Sequence, residues 1–237
     1  MNSPRTATVA LLIFAFTMFF AARVMRSQEA KTKYAHMAPV EEYLMTDRNA
    51  EIVLARSAAP ESISHQATVL VLGRHGYETA VEGKNGFVCL VERGWMSPAD
   101  APEFWNPRIR GPICFNPPAA RSVLPTTYKR TEMVLAGKTR AEIIAGNKAA
   151  FERRELPALE PGAMSYMMSK GAYLTDHDDH NLAHLMFYAP PLEGTAWGAD
   201  LPKSPVMLNP QFKGTQPIDV FVVSVGRWSD GTPAPVM

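Results

Sequence analysis

The sequence has few cysteines, no surplus of basic charge and no closely paired cysteines, and each absence excludes a class of function. Lys and Arg total 24 against 23 Asp and Glu. Residues 1–26 hold three Arg and no acid, so 21 basic residues face 23 acidic ones beyond them. Such a chain has no basic field for a phosphate backbone, and we expect no nucleic-acid partner. Its 46% apolar and 20% charged residues are typical of a globular protein.

Only two cysteines are present, Cys89 and Cys114. The absence of a CxxC pair argues against thiol-redox chemistry. In an oxidising compartment the two would form a disulfide that closes a loop of about 25 residues and contributes roughly 3 kcal/mol. Two buried free thiols are the alternative interpretation. No cysteine lies near the N-terminus, so a lipid-modified N-terminus has no acceptor.

The chain does contain one long uncharged run, Thr6 to Ala22, between Arg5 and Arg23. Such an N-terminal run predicts an export signal or a membrane anchor. As a helix its 17 residues would reach roughly 26 Å, slightly less than a hydrocarbon core. The cleavage site is poor because Phe20 would stand where a small residue is wanted.

The positive charges favour a cytoplasmic downstream chain, since more of them follow the run than precede it. We nevertheless expect export to the periplasm or the exterior, because N-terminal segments this short usually act as signals. Anchoring to the inner membrane by residues 6–22 stays open. The predicted organisation is a signal peptide or anchor at 1–26, a linker at 27–39 and a single globular domain at 40–237.

The hydrophobic pattern predicts an α+β fold, an antiparallel sheet of about five or six strands with helices packed on one face. A hairpin loop at 83–86 would join two of the strands. Seven prolines at 98–125 argue against a central strand in that segment. The predicted strands are 67–73, 77–82, 87–92, 164–169, 184–189 and 219–225, and the predicted helices are 40–56, 128–136 and 139–154.

The densest polar cluster is Asp176 to His180, followed by His184. Imidazole and carboxylate are ligands of zinc, copper and iron, and the spacing would place the three histidines on one face if the segment were helical. The cluster lacks the Glu of a HExxH motif, and Asn181 replaces the Gly of an EF-hand loop. A solvated acidic loop and a His–Asp acid/base pair are alternatives. The predicted ligands of a divalent transition metal are Asp176, His177, His180 and His184.

Two further patterns carry chemistry. Arg74-His75-Gly76 directly follows an apolar strand and resembles the opening of the histidine phosphatase superfamily, which implies a phosphorylated His75 and a phosphate-binding Arg74. A hairpin rather than a loop and helix follows it, so an exposed turn is the alternative. Separately, the methionines at 164, 167, 168 and 186 suit an envelope copper site, although strand methionines usually fill a core.

The phrases GFVCLVERGW (86–95), GPICFNP (111–117), PGAMSYMMSKGAYLTD (161–176), HLMFYAP (184–190) and VGRWSDGTPAP (225–235) resemble an uncharacterised family of exported bacterial proteins with no assigned activity. The resemblance covers most of the chain beyond residue 50 and implies export and a single domain.

We therefore expect an exported envelope protein that is a non-catalytic small-ligand or metal-binding or structural module. Tryptophans 95, 105 and 197 are candidate pocket walls. The alternatives are a metal-dependent hydrolase that uses the cluster at 176–184 and a histidine-phosphatase-like enzyme at Arg74-His75-Gly76.

Overall fold

The computed structural model describes residues 33–176 and 182–235, and the framework of this part is one eight-stranded sheet. Its order is β2-β1-β3-β4-β5-β6-β8-β7, antiparallel throughout except between β1 and β3. The α+β class is confirmed, but the sheet is larger than predicted. The strands are β1 (Thr68–Gly73), β2 (Gly76–Val81), β3 (Val88–Glu92), β4 (Gly111–Phe115), β5 (Met164–Met167), β6 (His184–Ala189), β7 (Val206–Asn209) and β8 (Asp219–Ser224).

The hairpin predicted at 83–86 is not present in the sheet. β1 and β2 form a hairpin, in which Gly73 pairs with Gly76 across a two-residue turn. The chain then passes the start of β1 and returns on its other side, where β3 runs parallel to it. A Cβ on Gly83 would lie only 2.1 Å from the backbone nitrogen of Thr68, so this close passage requires glycine. The glycines at 83–86 thus mark a crossing rather than a hairpin turn.

Six helices accompany the sheet in the described residues: α1 (Val40–Tyr43), α2 (Arg48–Arg56), α3 (Glu61–Ser64), α4 (Pro117–Ser122), α5 (Leu124–Leu135) and α6 (Arg140–Glu152). The predicted helix at 40–56 is divided, because the Asp47 carboxylate accepts hydrogen bonds from the backbone of Asn49 (2.8 Å) and Ala50 (3.1 Å) and begins a new helix there. The capping box of Thr139 and Glu142 begins α6 as expected.

Helices cover both faces of the sheet, whereas one face was predicted. Ala55 of α2 packs with Cys89 and Cys114. Leu124 of α5 packs instead with Leu90 and Ile113. Successive strand residues point to opposite faces, so the two helices lie on opposite sides. The central strands are accordingly buried on both faces, and their continuous apolar runs do not show which side a helix covers.

The proline-rich segment contains a central strand, contrary to prediction. β4 lies between β3 and β5 although Pro112 is its second residue. The strand β5 pairs only with Cys114 and Phe115 and does not extend as far as Pro112. The missing N–H therefore costs no hydrogen bond on the β5 side. β7 was also missed; it is an edge strand between Pro205 and Pro210 and pairs only with β8.

The predicted disulfide is confirmed. Cys89 and Cys114 lie directly opposite each other on β3 and β4, with their Cα atoms 4.0 Å apart. Ala55, Ala58 and Ala59 pack around them, and these small side chains let α2 approach the sheet closely. We call this side the disulfide face. The bond is compatible with an oxidising compartment.

A buried ion pair links α2 to the end of β3. Arg93 Nη2 lies 2.8 Å from Glu51 Oε1, and both side chains are almost fully buried. Arg93 Nε donates to the carbonyl of Tyr43 (2.8 Å), and its Nη1 donates to that of Val91. Glu51 also accepts from the backbone N–H of Leu72 (3.2 Å). The pair is thereby satisfied on both sides, as a buried charge pair must be.

Within residues 33–176 and 182–235, no helix combines the length and apolar character needed to cross a membrane. The uncharged run at 6–22 lies outside the described residues, and export stays a prediction.

Candidate binding cavity

A cavity of about 520 Å³ opens at one end of the sheet. It lies where β3 and β5 end and where β4 and β6 begin, and β7 and β8 complete the wall. Its strand residues alternate with those of the disulfide face: Glu92 follows Val91, and Met167 follows Tyr166. We call this side of the sheet the cavity face. The helices α4 and α5 pack on the same face farther along the strands.

The lining is mainly apolar and rich in methionine. Gly111 helps to keep the space open, because a Cβ there would lie 3.4 Å from Leu174 and 3.5 Å from Met167. Methionine is unbranched and polarizable, and it adapts to ligands of different shape. The apolar lining comprises Met96, Ile109, Met167, Leu174, Leu182, Met186, Met207, Leu208 and Val222.

A buried carboxyl group, that of Glu92, lies in this apolar wall. Only 7% of Glu92 is exposed, and its Oε1 accepts a hydrogen bond from the Thr127 hydroxyl (3.1 Å). Burial raises the pKa of Glu92 to about 7, although Thr127 and the charge of Arg130 oppose the rise. Near neutral pH the carboxyl therefore exchanges between a hydrogen-bond donor and an acceptor.

Arg130 lies behind the same wall. Its Nη1 donates to the carbonyls of Trp95 (3.3 Å) and Ser97 (3.4 Å), and its guanidinium carbon is 5.8 Å from the centre of the Phe212 ring. Its buried Nη2 has no hydrogen-bond partner among the residues that the structure describes. Burial lowers the pKa of Arg130 to about 10, and nearby Glu92 opposes the shift. The wall thus contains an acid that is partly ionised near neutral pH, and a cation with an unused hydrogen-bond donor lies behind it.

His184 is a further titratable group of the lining, which also contains Arg93, the partner of Glu51. It begins β6, directly opposite Met167 on β5. Its Nδ1 lies 2.7 Å from the carbonyl oxygen of Leu182. A carbonyl only accepts, so Nδ1 carries the hydrogen and Nε2 keeps a lone pair. Burial lowers the pKa of His184, against the effect of this hydrogen bond, and the ring is therefore neutral near pH 7.

Asp176, a predicted metal ligand, is engaged elsewhere. Its Oδ1 accepts from Asn106 (3.0 Å) and Tyr173 (2.6 Å), and its Oδ2 accepts from Lys33 and Tyr34 (both 2.6 Å). Burial alone would raise the pKa of Asp176, but these hydrogen bonds together hold it well below its usual range. Four donors match the roughly four lone-pair sites of a carboxylate, so a metal would have to displace one of them.

His177 and His180 lie outside the described residues, so the four-ligand site stays a prediction. Among the residues that are described, no group of three or more His, Cys, Asp or Glu is placed to hold a metal ion. Of the two predicted ligands that are described, Asp176 and His184, only His184 lines the cavity.

The other sequence candidates fall in different places. Arg74 and His75 form the exposed turn between β1 and β2, and Arg74 pairs with Glu41 (2.6 Å). This is the exposed-turn alternative, and the geometry adds nothing to the phosphatase hypothesis. The methionines proposed for copper divide between the faces: Met167 and Met186 line the cavity, whereas 164 and 168 alternate with 165 and 167 and point to the disulfide face.

None of the three tryptophans predicted as pocket walls lines the cavity. Trp95 and Trp105 are buried in a cluster with Phe104, and Trp197 stacks on Phe221 with ring centroids 4.4 Å apart. Sequence reasoning missed Glu92, although a signal existed. An acid ends the apolar run of β3, two positions after buried Leu90 and therefore on the same face.

No protein-family model, curated protein or solved structure matches this chain.

Proposed function

We propose that this protein is an exported binding module that holds a small ligand in the cavity. The observation that carries the proposal is the pairing of an apolar, methionine-rich space with two titratable groups whose pKa values are shifted by burial, Glu92 and His184. A volume of about 520 Å³ lies within the range of small-molecule sites. Perturbed titratable groups concentrate at functional sites, because an unused buried carboxyl only destabilises a fold.

The lining defines the chemistry of the ligand. An apolar body would pack against the methionines, and a hydrogen-bonding group would reach Glu92 and His184. Near neutral pH the imidazole is neutral and the carboxyl is only partly ionised. Arg93, the cation of the lining, is already paired with Glu51, so a ligand of high charge would lose its hydration without a full counter-charge in return. We therefore propose an uncharged, mainly apolar ligand with one polar end.

The disulfide between Cys89 and Cys114 supports the exported part of the proposal, since such bonds persist in oxidising compartments. Localisation of the full-length chain in cell fractions tests that part separately from binding.

N-phenyl-1-naphthylamine is a suitable probe, because it is neutral, apolar, carries one N–H group and fluoresces when it leaves water. We expect saturable binding to the full chain. Met207→Trp adds volume inside the cavity, and we expect it to weaken binding at least about tenfold, or ~1.4 kcal/mol. Val53→Trp is the matched control, since Val53 is 68% exposed on α2 and should leave affinity unchanged.

Absence of saturable probe binding, or equal affinity of Met207→Trp and Val53→Trp, would overturn the proposal. Near-UV circular dichroism of both variants verifies that each remains folded.

A further inference from the structure

Three soft donor groups lie side by side on the cavity face of β5 and β6. Met167 is directly opposite His184 in the strand register, and Met186 lies two residues beyond His184 on the same face. Directly opposed residues of an antiparallel pair have Cβ atoms about 4.5–5.5 Å apart, and residues two apart along a strand are roughly 7 Å apart. All three side chains line the same cavity, so their flexible ends share one space.

The orientation of the His184 imidazole is an independent indication of a metal site. His184 Nδ1 donates to the carbonyl of Leu182, which fixes the ring, and the Nε2 lone pair has no hydrogen-bond donor among the described residues. Metal-binding histidines almost always donate their other N–H to a carbonyl or carboxylate in this way. The arrangement fixes the tautomer that coordinates a metal.

The donor types select the metal. Thioether sulfur is a soft ligand that favours Cu(I), whereas carboxylate and carbonyl oxygens favour Mg²⁺, Ca²⁺ and Mn²⁺. We propose that Met167, His184 and Met186 bind a single Cu(I) ion at the wall of the cavity. Met207 lies on the same face, one strand beyond Val222, and is positioned as a further sulfur donor.

This site differs from the predicted divalent site at 176–184. It shares only His184 with that set, and its sulfur ligands come from strands rather than from the acidic segment. It rests on the proposed function in one respect, namely that the cavity admits ligands. It adds a soft metal ion to the ligands that the cavity can hold.

The test is anaerobic competition for Cu(I) between the full-length protein and the chelator bicinchoninate. We expect one Cu(I) per chain. Met186→Leu and His184→Phe should each weaken the affinity at least about 10-fold, since loss of a group that only supports a metal ligand already costs about 10–100-fold. Met168→Leu is the matched control, because Met168 is buried beside Ala58 on the disulfide face and should have no effect. Met→Leu conserves volume, so these variants should fold.

Methyl NMR with ¹³C-labelled methionine and Ag(I), a soft ion stable in air, gives a readout independent of affinity. The methyl signals of Met167 and Met186 should shift on addition of Ag(I), and that of Met168 should not.

Failure to compete for Cu(I), or equal affinity in Met186→Leu and Met168→Leu, would overturn the copper inference. Binding of N-phenyl-1-naphthylamine by the same sample separates the two proposals. Probe binding without Cu(I) binding would refute the metal site alone, and loss of both would refute the cavity as a binding site.

Discussion

The two faces of the central strands differ in their side chains and in how closely they are packed. On the disulfide face, Cys89 and Cys114 are covalently joined, and Ala55 of α2 packs against them together with two alanines that follow the helix. On the cavity face, the strand ends instead carry Glu92 and His184 in a space that the packed helices leave open. Glu92 and Val91 are neighbours in sequence, yet one lines a cavity and the other closes a core.

This difference shows how a sheet can tolerate a site whose polar groups lower the free energy of unfolding. A buried carboxyl and a buried imidazole each cost stability unless they are fully paired. Close packing and a covalent link on the opposite face provide stabilisation that offsets this cost. If this comparison is correct, changes on the disulfide face should affect stability and spare binding, whereas changes on the cavity face should affect binding.

The largest expected effect follows from breaking the ion pair that holds α2 to the end of β3. Glu51→Ala leaves Arg93 buried without its counter-charge, and we expect a loss of about 3–5 kcal/mol in the free energy of unfolding. Urea denaturation measures this loss. Glu78→Ala is the control, because Glu78 pairs with Arg48 at the surface and should cost at most about 1 kcal/mol. Equal losses in the two variants would contradict the structural role of the buried pair.

Removal of the disulfide by the double change Cys89→Ala and Cys114→Ala should cost roughly 3 kcal/mol, given the loop of 25 residues that the bond closes. Urea denaturation of the variant and of the oxidised parent provides the comparison. Because the bond lies on the opposite face, the folded variant should bind N-phenyl-1-naphthylamine as tightly as the parent does. Loss of probe binding in a folded variant would show that the two faces are not independent.

The pH dependence of stability tests the cavity face. Folding raises the pKa of Glu92 from 4.5 to about 7, so the folded state holds the proton more tightly than the unfolded state. The stabilisation is complete below pH 4.5 and disappears as the pH rises through 7. This one group should therefore lower the free energy of unfolding by about 3 kcal/mol across that interval.

Glu92→Gln should remove this contribution, because the amide does not titrate. Urea midpoints measured between pH 4.5 and 8 for the variant and the parent test the expectation, with Glu78→Gln as an exposed control. Parallel profiles for the parent and Glu92→Gln would exclude an elevated pKa.

The sequence predicted local features better than their assembly. The capping box at Thr139, the span of β6 and the pairing of Cys89 with Cys114 all follow from residue types and spacing. The parallel pairing of β1 and β3 does not, because a glycine-rich turn and a glycine-rich crossing look alike along the chain. The prediction that residues 98–125 contain no central strand was wrong because a proline is acceptable at Pro112, where the neighbouring strand β5 has already ended. The end of that neighbour is a property of the sheet and cannot be seen along the chain.

The candidate site was harder to predict because it depends on how distant strands are assembled. Its lining comes from six strands that are scattered along the chain, and only the sheet order brings Glu92 and Met207 to one cavity. The sequence drew attention to the local cluster at Asp176 instead. In the structure that carboxylate accepts hydrogen bonds from residues as distant in sequence as Lys33, which no local pattern indicates.

The smallest expected effect concerns Gly111. An alanine Cβ there would meet its neighbours at 3.4–3.7 Å, an ordinary contact distance, so we expect a change in stability below about 1 kcal/mol. The added methyl group occupies cavity space, and the affinity for N-phenyl-1-naphthylamine should fall about threefold, as measured by fluorescence titration. Unchanged affinity would place the probe away from this part of the wall.

The most direct test of the distinction between the faces is methyl NMR of ¹³C-methionine-labelled protein during titration with N-phenyl-1-naphthylamine. Methionines lie on both faces and report on each within one sample. We predict shifts for the cavity methionines 96, 167, 186 and 207, and none for 164 and 168 on the disulfide face. Shifts confined to the disulfide face, or spread equally over both faces, would contradict the assignment of binding to the cavity.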